Sequence, residues 1–159
     1  MNKVLLVGGA VTFVTAFFLL TSNVVAEDIS LEEQIQEEIY EGYKEELAIL
    51  VYAEAGNQTL EGKQRVADVV LNRVKDPNFP NTIHEVIYQK GQFSVMTNGA
   101  YEKAMWDVTD ECFEAVRLET ECADDERLDT KSVYFSRGKS KYGTNWYKCG
   151  DHWFGERKN

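Results

Sequence analysis

The sequence predicts a mainly helical α+β domain with a small β element near its C-terminus. Apolar residues recur at three- and four-residue spacing through the first two-thirds of the chain, the period of amphipathic and buried helices. Beyond Asp129 the pattern changes to short β-branched and aromatic runs with glycines between them, which reads as strands and turns. The 159 residues, 43% of them hydrophobic and 12% aromatic, amount to about one domain able to bury a sizeable core. That content excludes a wholly disordered chain, and two prolines exclude a proline-rich linker protein. The net charge of −10 argues against nucleic acid as the main partner, because phosphate binding needs a basic face.

Residues 1–26 hold one charge, Lys3, then an apolar run from Val4 to Leu20 and small residues at Val24 and Ala26. This is the pattern of an export signal. The 17-residue run also reaches the bottom of the spanning range of about 17–25, so an uncleaved membrane tether is the alternative. Either way, the remainder of the chain is expected outside the cytoplasmic membrane. Residues 27–46 hold nine acids and one lysine, with Leu31, Ile35, Ile39 and Tyr43 every fourth position. An acidic amphipathic helix or spacer is expected there, ahead of a domain over 47–159.

Residues 47–55 are apolar on nearly all sides, as in a buried helix, and Gly56-Asn57 stops it. Thr59 caps a helix expected from Leu60 to about Val74, with Glu61 in its first turn and Asp76-Pro77 ending it. Thr82 to Glu85 fits a capping box that opens a short helix through Ile87 and Tyr88. Gly91 to Gly99 is a loop long enough to carry function. One further helix is expected from about Tyr101 to Leu118, then strands around Ser132–Phe135, Trp146–Lys148 and His152–Phe154. The acidity is local: residues 107–129 hold ten acids and two arginines, residues 47–106 balance six acids with six bases, and residues 130–159 are basic.

Glu54 is the residue that most needs a role. Its neighbours Tyr52, Ala53 and Ala55 would desolvate its carboxylate and raise its pKa, as a general acid near neutral pH requires. A helix-end carboxylate turned to solvent is the plainer reading. Cys112, Cys122 and Cys149 allow one disulfide with a thiol left over, and the sequence does not choose the pair. There is no CxxC, and His84 and His152 lack ligand spacing, so no metal and no cofactor are expected. Ser94 has no nucleophile-elbow pattern around it.

The blocks from Leu50 to Ala55, Glu61-Gly62, Val66 to Val74, Phe79 to Ile83, Val86 to Tyr88 and Gly91 to Ser94 fall in one order. With Tyr134-Phe135 and Gly150 to Phe154 they resemble SleB-type cell-wall hydrolases, the spore-cortex-lytic enzymes and their relatives. The resemblance implies a lysozyme/lytic-transglycosylase-like fold and peptidoglycan glycan strands as the partner. It implies Glu54 as catalytic acid, in a single-carboxylate route that leaves 1,6-anhydro ends. The same substrate cleaved by hydrolysis, and an inactive wall-binding module, are the alternatives. The family pattern continues Arg-Gly-Glu after the alanine, where this chain has Gly56-Asn57-Gln58, so nothing is assigned to that arginine or second glutamate.

Glu61 is expected either to contact substrate or to serve as a helix-start carboxylate. Gln92 and Ser94 can bond sugar hydroxyls, beside Phe93, or be turn residues. Tyr134 and Phe135 can stack on sugar rings or pack in the core. His152 can meet substrate or be structural, and Tyr52 and Asn72 are expected to support Glu54, Asn72 by bonding back towards it.

Overall fold

The computed structural model describes residues 33–37 and 39–158. The export or anchor segment, residues 1–26, lies outside the described residues. The chain divides into two compact units, 1–41 and 42–159. In the first, residues 33–37 and 39–41 are helical, and Ile35 and Ile39 are exposed. The second unit begins at Gly42, and Tyr43 packs against its core. No helix among the described residues is long and apolar enough to cross a membrane.

Helix α1 spans 42–55, and its residues Leu47, Ala48, Leu50, Val51 and Ala55 are wholly buried. The Gly56-Asn57 turn leads to α2 (Leu60–Lys75), whose first turn is closed by Thr59 accepting the Gly62 N–H at 3.3 Å. At its other end Asp76 N–H returns to the carbonyls of Asn72 and Arg73, and Pro77 prevents continuation. Helix α3 (Ile83–Tyr88) has the expected cap: Thr82 accepts from Glu85 N–H and donates to its carboxylate. A 3₁₀ turn, Ser94–Met96, precedes α4 (Ala100–Asp107) and α5 (Asp110–Thr120).

These last two replace the single helix expected from Tyr101 to Leu118. The break falls on the β-branched pair Val108-Thr109, where both residues take extended ψ values of 137° and 156°. Thr109 then starts a new helix with Asp110 and Glu111 in its first turn, where the dipole favours acids.

Three antiparallel strands follow: β1 (Ser132–Ser136), β2 (Gly143–Cys149) and β3 (His152–Arg157), in the order β1-β3-β2. Phe154 is the fully buried centre of the sheet, opposite Phe135 on one side and Tyr147 on the other. A bulge between Thr144 and Tyr147, with Asn145 at φ 51°, swings Trp146 over the sheet. Its ring lies across two glycines: a Cβ on Gly143 or Gly155 would come within 2.4 or 2.6 Å of it.

Helix α2 packs against α3, α5 and β1 and organises the rest. A buried polar network fastens residues 127–132 to it. Asp68 pairs with Arg127 at 2.7 Å and accepts the Asp129 N–H at 2.9 Å. Asn72 donates to the carbonyls of Asp129 and Ser132 and accepts from Arg127. Glu119 takes Gln64 and the Leu128 N–H, and Tyr147 donates to Asp129. Every member is satisfied, so the network specifies where β1 starts.

Candidate active site

Glu54 is in the last turn of α1, one residue before the wholly buried Ala55. It opens with Ala53 onto a cleft of about 710 Å³, whose other walls come from α2, the 91–100 loop, the end of β1 and the start of β3. Burial holds the Glu54 carboxyl above its ordinary pKa, against the pull of the Arg137 and Arg73 charges. Glu54 is the only carboxylate among the described residues lining this cleft.

The 91–100 loop supplies Gln92 and Ser94. Extended backbone at Phe93 (φ −120°, ψ 119°) alternates the side chains, so Gln92 and Ser94 are exposed while Phe93 is buried between them. Asn98 accepts the Ala100 N–H, anchoring the loop where α4 begins. Strand β1 brings Phe135, Ser136 and Arg137 to the opposite wall. His152, the first residue of β3, is buried with its ring edge-on to Phe135 at 5.4 Å, and burial followed by the Arg137 charge lowers its pKa. A neutral imidazole is thus favoured in the wall.

Two further hollows adjoin the cleft. One, of about 450 Å³, shares Arg73, Gln92, Phe135 and Ser136 with it and is lined by Phe79, Tyr134, Tyr142 and Trp146. The other, of about 390 Å³, shares Gly91, Phe93 and Thr97 and is lined by Tyr88, Tyr101 and Met105. The neighbouring hollows bring the aromatic rings of Tyr134, Tyr142 and Trp146 on one side and of Tyr88 and Tyr101 on the other close to the Glu54 cleft, faces on which sugar rings can stack.

The structure thus brings Glu54, Gln92, Phe93, Ser94, Phe135 and His152 to one cleft, with Tyr134 in the adjoining hollow. Phe93 is 3% exposed and serves chiefly as a platform, its ring 5.0 Å from the Arg73 guanidinium carbon. Tyr52 packs against the core beside the Gly56 turn and is outside the cleft lining. Two of the residues lie away from the cleft. Glu61 is not in the cleft, since it ion-pairs with Arg65, one helical turn on, at 2.8 Å. Asn72 bonds to the 129–132 loop and not towards Glu54, so it supports the site only through β1.

Sequence reasoning passed over Arg73 and Arg137. Arg73 is 4% exposed, donates from Nε to the Val133 carbonyl at 2.8 Å, and lies between the rings of Phe79 and Phe93. Its Nη1 and the His152 Nδ1 have no hydrogen-bond partner among the described residues. A buried donor left unpaired costs about 1–3 kcal/mol. Burial pulls the Arg73 pKa down to about 10, which leaves it charged at neutral pH. The available signal was spacing: Arg73 falls three, four and seven residues after Val70, Val69 and Val66, on a buried face of α2.

Gln58 explains the altered turn after Glu54. Its amide donates to Asp151 Oδ2 and accepts the Asp151 N–H, both at 3.0 Å, clasping the β2–β3 turn one residue before His152. Gly150 sits at φ 55°, and a Cβ there would lie 2.3 Å from the Gln58 amide oxygen. Cys112, Cys122 and Cys149 are all free thiols. Among the described residues no group of three His, Cys, Asp or Glu side chains could hold a metal ion.

A helical α+β unit with a half-buried carboxyl of raised pKa opening onto a cleft has the layout of a general-acid enzyme. Residues 57–155 match the family model described as cell wall hydrolase, and the chain belongs to that family. The spore cortex-lytic enzyme of Bacillus subtilis (strain 168) is 40% identical over 53 residues, which are 33% of this chain and 17% of that protein. The spore cortex-lytic enzyme of Oceanobacillus iheyensis is 38% identical over 53 residues, 33% of this chain and 19% of its own. The matched stretch therefore spans under a fifth of these curated relatives. In fold, the chain is similar to the catalytic domain of the germination-specific lytic transglycosylase SleB from Bacillus anthracis. The TM-score is 0.60 at 24% identity, over 72% of this chain and 93% of that one. The catalytic domain of the Bacillus cereus SleB protein gives a TM-score of 0.51 at 24% identity, over 73% and 91%.

Proposed function

We propose that this protein cleaves peptidoglycan glycan strands between N-acetylmuramic acid and N-acetylglucosamine by a lytic transglycosylase route, outside the cytoplasmic membrane. The observation that carries this reading is the lone carboxylate of the cleft. Glycosidases of the usual kind need two, about 5–5.5 Å apart for retention or about 6.5–9.5 Å for inversion. Glu61, the nearest alternative considered from the sequence, is outside the cleft and paired with Arg65. A transglycosylase can work with one carboxyl in both roles.

Glu54, whose pKa burial raises, gives its proton to the glycosidic oxygen as the C1–O bond breaks. The Glu54 carboxylate then takes the proton of the muramoyl C6 hydroxyl, whose oxygen bonds to C1 and closes the 1,6-anhydro ring. Arg137 and Arg73 favour the carboxylate formed between the two steps. The relatives named for cortex lysis and lytic transglycosylation support the same reading.

Mass spectrometry of muropeptides released from purified peptidoglycan tests it. Anhydro-muramoyl ends are expected. Reducing ends would favour hydrolysis, and retention of the protein on the wall without release would favour a binding module.

A further inference from the structure

The chain has six arginines. Four are paired with carboxylates: Arg65 with Glu61, Arg117 with Glu114 and Glu121, Arg127 with Asp68, and Arg157 with Asp76. Arg73 and Arg137 form no salt bridge with any described residue, and both line the cleft that holds Glu54. In a chain with ten more acidic than basic side chains, two cations whose only carboxyl neighbour in the cleft lining is Glu54 call for an explanation.

Arg73 is not placed as a surface arginine would be. Arg73 is buried, its plane lies between two phenyl rings, and one of its nitrogens, Nη1, is an unpartnered donor. Arg137 is exposed at the end of β1, where Asp68, Arg127 and Asn72 set the start of the strand. When Glu54 carries its proton, the described cleft lining has two positive charges and no negative one. That is the state required at the start of the reaction. An anion on the substrate would then complete the electrostatics of the compartment.

We propose that Arg73 and Arg137 form a carboxylate-recognition pair that selects glycans bearing a carboxylate close to the scissile bond over neutral glycans of the same backbone. The inference rests on the glycan-cleaving reading and adds to it a specificity determinant. The carboxylate can be the lactyl group of a muramoyl residue or belong to its stem peptide. Both present the same planar acceptor to a guanidinium, and the test separates them.

The full chain carrying Glu54→Gln, which binds without turnover, is measured by co-sedimentation against three strands. These are intact peptidoglycan, strands stripped of stem peptides so that the lactyl carboxylates are free, and strands whose carboxyls have been converted to amides. Using the glutamine background separates recognition from any effect of the arginines on Glu54. Carboxylate-bearing strands are expected to bind about tenfold tighter or more than amidated ones, the usual worth of a charge-assisted bond. Preference for stripped strands assigns the lactyl group, and preference for intact strands the peptide.

Adding Arg137→Gln should remove most of that preference and leave the affinity for amidated strands unchanged, while Arg137→Lys should keep part of it. Arg73→Lys, checked by its melting curve, should likewise weaken binding only to the charged strands. Equal affinity for charged and amidated strands, or an equal loss on both when Arg137 is replaced, overturns the proposal. Failure of the cleavage reading would look different: the native chain would release nothing from any of the three strands.

Discussion

Replacing Gln58 with glutamate changes one atom of the clasp and reverses the sign of one contact. The glutamine amide nitrogen lies 3.0 Å from Asp151 Oδ2, while its oxygen accepts the Asp151 N–H at 3.0 Å. Gln58→Ala removes both bonds to Asp151, worth about 0.5–1.5 kcal/mol each, so a loss of about 1–3 kcal/mol is expected. Gln58→Glu keeps the backbone bond but sets two carboxylates about 3 Å apart. That repulsion is about 1.4 kcal/mol in bulk water and about 5 kcal/mol at an effective dielectric of 20, and the exposed setting favours the lower figure. With the donated bond also lost, the glutamate variant should be about 2–3 kcal/mol less stable than the native chain, and no better than the alanine variant. Urea unfolding at low salt reads the difference, and 1 M salt should shrink it because the pair is exposed. Combining Gln58→Glu with Asp151→Asn restores a donor opposite the new acceptor and should recover at least 1 kcal/mol of coupling in a double-mutant cycle. If Gln58→Glu is as stable as the native chain at low salt, the clasp does not hold the β2–β3 turn and its link to His152 fails.

Other perturbations follow from the same contacts. Arg127→Met strips the partner from Asp68, which is wholly buried and whose pKa burial and Glu119 already raise to about 7; losing the ion pair and the bonds to Asp68 and Asn72 should cost about 3 kcal/mol or more in denaturant unfolding, less at pH 5, where Asp68 can take up a proton, than at pH 8. Gly155→Ala drives a methyl group to 2.6 Å from the Trp146 ring and should cost about 1–3 kcal/mol, with a change in tryptophan fluorescence as the ring is displaced. Arg137 favours the Glu54 carboxylate, so Arg137→Gln should raise the Glu54 pKa further and move the alkaline limb of kcat/KM to higher pH. A limb that moves to lower pH would mean that Glu54 is not the acid it reports.

Much of the fold was legible because local chemistry and packing agree. The Thr59 and Thr82 caps, Asp76-Pro77 and the glycine-spaced aromatic runs mark boundaries that tertiary structure leaves alone. The α4–α5 break was not legible, since Tyr101, Met105, Val108 and Cys112 keep helical spacing across a kink that Val108 and Thr109 introduce. At the site, Glu54 stood out as a carboxylate among apolar neighbours. Asn72 was placed wrongly because spacing along a helix gives a direction only relative to its own axis, and its partners lie 57 and 60 residues away, while Glu61 is taken up locally by Arg65 one turn on. Arg137 carried no such signal: its role depends on β1 passing the end of α1, a long-range juxtaposition that no local pattern encodes.

The central claim is that one carboxylate does both proton transfers, and Glu54→Gln tests it most directly. The native chain and the glutamine variant are incubated with purified peptidoglycan, and anhydro-muramoyl ends are counted by mass spectrometry. Burial disfavours the charged form of Glu54, so the neutral replacement should melt at or above the native temperature at pH 7, which separates lost chemistry from lost folding. The expected result is a folded variant whose anhydro ends fall by about 10²–10⁴-fold, the usual share of a general acid–base group. A folded glutamine variant that still releases those ends at near-native rate would contradict the account.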